Sequence, residues 1–137
     1  MKKINHLFQF IIIKFIFFIF ELIGYRSSSN LGFIIGKFIG PIFRSKKSIV
    51  KNLKKANLNN NLDLDKLVNN ILGNYGRIFA EYVYLKDFRN NSLNKYISID
   101  GYKYLEDIKR SKKKVVFVSG HFNNFELMAM QIEKSGI

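Results

Sequence analysis

Residues 4–23 set the strongest limit on what this chain can become. Phe10-Ile-Ile-Ile13 and Phe15-Ile-Phe-Phe-Ile-Phe20 lie there, separated by Lys14 and closed by Glu21. From Leu7 to Ile23 there are 17 residues, about 25 Å of α-helix, slightly less than a ~30 Å hydrocarbon core. At about 100° per residue, Lys3, Lys14 and Glu21 fall on one narrow stripe and almost all the remaining surface is Ile, Leu or Phe. A domain of this size cannot readily cover so much aromatic surface, so a buried core helix is disfavoured. Lys14 at mid-bilayer costs roughly 2.5–3.5 kcal/mol. The helix therefore spans and snorkels its lysine, or lies in the interface as a monotopic anchor. Residues 1–25 are read as a single anchor helix with cytoplasmic flanks. No small-x-small cleavage site follows, which argues against a signal peptide.

Charge reinforces the membrane reading. The 137 residues carry a formal charge of +13. Residues 1–55 hold eleven Lys or Arg against Glu21, whereas residues 56–137 hold twelve against nine acids. The basic excess thus sits beside the apolar segment, which favours an anionic membrane surface over nucleic acid. No nucleic-acid module with basic and aromatic residues on a polar face is visible. The chain has no cysteine, which excludes disulfides and thiolate sites. His6 and His121 are its two histidines, too few for a zinc site. No metal or cofactor is expected.

Residues 26–90 read as a basic, amphipathic helical region. Gly32, Gly36 and Gly40 recur at four-residue steps and make a flat stripe that another helix can approach closely, with the anchor helix as the expected partner. Pro41 is expected to kink or restart the helix. Arg44, Lys47, Lys51, Lys54 and Lys55 recur beside Ile49, Val50 and Leu53, so this segment either grips lipid phosphates or presents a solvated charged face. Asn57–Asp65 is a polar linker. Beyond it, Leu64, Leu67, Val68, Ile71, Leu72, Tyr75, Ile78, Phe79, Tyr82 and Val83 share one helical face, with Asp63 and Asp65 at the amino end where the dipole favours them.

Residues 91–137 read as the first part of an α/β domain. Tyr96–Asp100 alternates as a half-buried strand, Tyr102–Ser111 is a short helix, and Val115-Val-Phe-Val118 is a buried strand stopped by Ser119-Gly120. Glu126–Lys134 is a helix ending before Gly136, a plausible C-cap. The β-α-β order predicts a parallel sheet. His121 would then stand at the carboxyl end of a strand, where open α/β sheets bind ligands, with Glu126 in the first turn of the next helix. A carboxylate that orients an imidazole and stabilises its protonated form makes a competent general base. The competing reading is a capping box, Asn123-x-x-Glu126, beside an exposed histidine.

In this order the pieces resemble the amino-terminal half of the lipid A late acyltransferases, the lauroyl and myristoyl transferases of lipopolysaccharide biosynthesis. The likeness covers the apolar helix, the glycine-spaced segment Leu31–Arg44, Lys51-Asn-Leu53, Asn74-Tyr-Gly-Arg77 and Asp100–Leu105. Its most specific element is Ser119-Gly-His-Phe-Asn-Asn-Phe-Glu126, similar to the family's Gly-His-Phe-x-Asn-Trp-Glu, with Phe125 in place of the Trp. The resemblance implies His121 and Glu126 as catalytic residues, with Gly120 and Asn124 positioning the turn or substrate. It also implies acyl-acyl carrier protein as donor, a lipid A precursor hydroxyl as acceptor, and an inner-membrane location with the catalytic domain facing the cytoplasm. The family continues past the point where this chain stops, so the expectation is a truncated α/β domain, inactive by itself. Two alternatives are an acyltransferase on a glycerolipid or other membrane lipid, and a non-catalytic basic membrane-associated protein.

Overall fold

The computed structural model describes residues 2–56 and 63–137, and side chains from residue 5 onward within them. Residues 57–62 of the expected linker lie outside the described set. The chain divides into two units, Met1–Tyr84 and Leu85–Ile137.

The first unit is helical. Helix α1 (Lys2–Ile23) ends at Gly24, and α2 (Tyr25–Phe43) starts immediately after it. Gly24 has φ 79° and ψ 161°, a region essentially reserved for glycine, and this one residue turns the chain between the two helices. Among the described side chains of α1, those packed lie towards its carboxyl end. Phe20 is buried, and Phe17 meets Phe79 with ring centroids 5.2 Å apart. Upstream, Leu7, Phe8, Phe10, Ile11, Phe15 and Phe18 are exposed. Asn5–Ile23 is long and apolar enough to cross a membrane, with mean hydropathy 2.1.

The last carbonyls of any helix lack intrahelical donors. At the end of α1 this need is met from elsewhere in the unit. The buried Ser28 hydroxyl lies 2.6 Å from the Phe20 carbonyl and 2.9 Å from that of Gly24. The Tyr84 hydroxyl also donates to the Phe20 carbonyl. Alongside, the buried Glu81 carboxylate accepts from the Ser29 hydroxyl at 2.7 Å and from the Tyr25 hydroxyl at 3.4 Å. Buried polar groups are tolerated when they are bonded in this way.

The glycine stripe of α2 does lie against another helix of the same chain, but that helix is α4 (Leu64–Glu81), not the anchor helix. A Cβ at Gly36 would fall 2.5 Å from the Leu72 carbonyl oxygen and 2.9 Å from the Gly76 nitrogen. One at Gly32 would fall 2.6 Å from the Gly76 oxygen. The two backbones are in contact, which only small residues allow. Pro41 lies inside the last turn of α2 without breaking it. Helix α4 starts at Asp63, whose carboxylate accepts from the Lys66 N–H at 3.0 Å, an ordinary N-cap. Its apolar face is only partly covered: Val68 and Leu72 are buried, whereas Tyr75 and Phe79 are exposed. Helix α3 (Lys46–Lys55) docks through Ile49 onto Val68 and Leu72, with Val50, Leu53 and Ile71 around them.

The second unit holds α5 (Leu85–Arg89), α6 (Tyr102–Ser111) and α7 (Phe125–Lys134). The parallel-sheet expectation is wrong here. No strand forms among the described residues, so the fold of the described chain is helical rather than α/β. Residues 97–99 and 113–122 include no hydrogen-bonded ladder, and the expected buried strand is open to solvent, with Val116 88% and Val118 92% exposed. The physical reason is that strand character is a property of a pair. Apolar, β-branched composition makes a segment suited to a sheet, but the ladder and the covering layer come from elsewhere, and no described segment supplies them.

Candidate active site

The site is built on the loop that leads into α7. Gly120 to Asn124 reverse the chain in three local steps. The Phe122 N–H donates to the Gly120 carbonyl at 2.9 Å, a three-residue turn with His121 at its centre. Asn123 follows at φ 46°, left-handed geometry that Asn adopts more readily than most residues. Asn124 is then the N-cap residue of α7, and its carbonyl accepts from the Leu127 N–H at 3.1 Å. Gly120 has a steric role. A Cβ there would meet the Phe122 ring at 2.5 Å, so glycine lets that ring fold back over the turn.

This register removes the capping-box reading. With Asn124 at the cap, Glu126 is the second helical residue rather than the third, and Asn123 lies outside the helix. Glu126 still gains from the positive end of the helix dipole. It is half-buried, and its Oε2 and the Asn124 Oδ1 are both shielded from solvent. His121 is exposed, and its ring lies against Phe125, with centroids 4.2 Å apart and planes at 58°. The turn thus places Gly120, His121, Asn124 and Glu126 in one short segment, with Phe125 under the imidazole.

The rest of the unit holds α7 in place from its other end. Lys134 donates to the Phe88 carbonyl at 3.2 Å and also to the Asn91 side chain. Lys109 donates to the Ser135 carbonyl at 3.0 Å, and Arg89 pairs with Glu133 at 2.9 Å. Gly136, at φ 76°, ends the helix in the left-handed position expected of a terminal glycine. Among the described residues, no three of His, Cys, Asp or Glu converge as a metal site would require.

Sequence reasoning missed the aromatic seat of His121, for which the signal was an aromatic ring four positions away across a turn. It also missed the buried Ser28–Glu81–Tyr84 region, signalled by the Ser27-Ser-Ser29 run inside otherwise apolar sequence.

With this geometry in hand, comparison with known families is informative. The profile of the bacterial lipid A biosynthesis acyltransferases matches residues 2–136. The chain belongs to that family, and it is therefore an acyltransferase of lipid A biosynthesis by descent. No curated protein and no solved structure matches it.

Proposed function

We propose that the protein transfers a fatty acyl group from the thioester of an acyl carrier protein to a hydroxyl of a lipid A precursor. The transfer takes place at the cytoplasmic face of the inner membrane. The observation that carries this reading is His121, held exposed at the centre of a tight turn and three residues ahead of the N-cap of α7, in a chain of this family. An exposed imidazole can reach a substrate oxygen. His121 takes the proton from the acceptor hydroxyl, and the oxygen attacks the thioester carbonyl carbon. The C–S bond breaks, and the leaving thiolate takes the proton back from the imidazolium. Glu126 acts by accepting a hydrogen bond from the second ring nitrogen once the imidazole turns away from Phe125. That rearrangement is consistent with catalytic hydrogen bonds that tighten only when substrate binds. Gly120 and Asn124 set the turn that carries the base. The exposed apolar surface of α1 supports the membrane location.

The test is acyl transfer by the protein as its cell makes it, comparing wild type with His121→Ala and Glu126→Gln. Loss of a positioned general base is expected to lower kcat by about 10²–10⁴-fold, with a smaller loss for Glu126→Gln. Retention of wild-type turnover by His121→Ala would remove His121 from the mechanism.

A further inference from the structure

Among the described residues, the side of α2 turned away from α4 exposes a row of large apolar side chains. Gly32, Gly36 and Gly40 occupy the covered side. At helical spacing, Leu31, Ile34, Phe38 and Ile42 occupy the opposite side, and all four are exposed. Exposure is greatest at the carboxyl end, where Phe38, Ile42 and Phe43 are 78%, 79% and 84% exposed. Only Arg44 and Ser45 separate this apolar end from α3.

Helix α3 then carries five lysines: Lys46 at its first position, and Lys47, Lys51, Lys54 and Lys55 on the side opposite Ile49. All five are exposed, and among the described residues none of them is in an ion pair. Like charges three and four residues apart destabilise an isolated helix, so this face gains from an external anion. An apolar helix end that runs directly into an unneutralised basic helix matches a bilayer boundary, hydrocarbon first and anionic headgroups next.

We propose that α2 and α3 form a second membrane contact, distinct from α1. The far side of α2 enters the acyl boundary through Phe38 and Ile42, and the α3 lysines engage anionic lipid phosphates. This rests on the reading that α1 places the chain at a membrane. The contact would fix how the unit faces the bilayer, which a single anchor helix leaves free to rotate.

The chain contains no tryptophan, so a single introduced one reports without background. Phe38→Trp, at an exposed position, and Phe10→Trp, in α1, are each placed in the full chain. Both are reconstituted with vesicles of brominated phosphatidylcholine, with or without phosphatidylglycerol. The Phe38→Trp reporter is expected to shift to the blue and be quenched, more strongly in the anionic vesicles. Changing Lys47, Lys51, Lys54 and Lys55 to Gln should weaken that contact about fivefold per lysine without changing Phe10→Trp quenching. If the Phe10→Trp reporter is quenched and the Phe38→Trp reporter is not, the proposal is overturned and the anchor reading stands. If neither is quenched, both fall. A blue shift of the Phe38→Trp reporter that follows protein concentration rather than lipid would put a second copy on this face and overturn the proposal. So would quenching indifferent to the four lysine changes.

Discussion

Gly24 shows how much of this structure hangs on single positions. Its φ of 79° and ψ of 161° suit glycine alone, and nothing surrounds a Cβ there. The cost of Gly24→Ala would therefore come from backbone conformation, not from a clash. We expect a loss of about 1–3 kcal/mol, measurable as a lower melting temperature in detergent, and an unchanged melt would mean that the turn relaxes freely. Arg89 and Glu133 make a second local case. The hydrogen bond from Arg89, and then its charge, hold the Glu133 carboxyl below its ordinary range. A carboxyl with a depressed folded-state pKa stabilises the protein above its unfolded-state value, and that contribution is lost as the pH falls through the folded value. Both groups are solvent-exposed, so the effect is small and screened by salt. Glu133→Gln should slightly flatten the acid limb of a melting-temperature profile at low salt and change nothing in concentrated salt. A persistent difference in salt would point to a role beyond this pair.

Among the elements, the α2–α4 pair is the firmest test of the fold. Their backbones touch through Gly32, Gly36 and Gly76, so a large side chain at Gly36 must push the helices apart. Gly36→Leu is expected to destabilise by at least the 1–3 kcal/mol of ordinary overpacking, to order of magnitude, seen as a broadened and lowered helical melt. A melt like that of wild type would contradict the close approach. The glycine periodicity was legible in the sequence, as were α6, the acidic amino end of α4 and the helix carrying Glu126. The partner was not legible. A stripe of small residues shows that something approaches, but it does not name the approaching helix. Gly73, Gly76 and Ala80 were hidden inside a pattern read for its large apolar residues. The strands failed for a related reason. Val115–Val118 has the composition of a buried strand, but composition carries no information about its pairing partner. At the site, the turn and the helix start were legible from Ser119-Gly120 and the downstream helix formers. The tilted ring contact of His121 with Phe125 was not, because it depends on the torsions of the three residues between them.

For the molecule as a whole, the apolar surface of α1 and the basic excess of the first 55 residues make different predictions about how it is held. A protein held by charge alone leaves membranes in concentrated salt. One held by a helix with this exposed surface does not. We expect salt washing to leave the protein in the membrane fraction and detergent to release it, and release by salt would reduce α1 to a peripheral element. Family membership makes the chain an acyltransferase of lipid A biosynthesis, and the central claim is that His121 performs the transfer. The most direct test is mass spectrometry of the lipid A fraction from cells whose own copy carries His121→Ala, beside wild type. The account predicts a precursor lighter by one acyl chain, with the protein still present in the membrane. A fully acylated lipid A in the His121→Ala cells, with no other acyltransferase substituting, would contradict it.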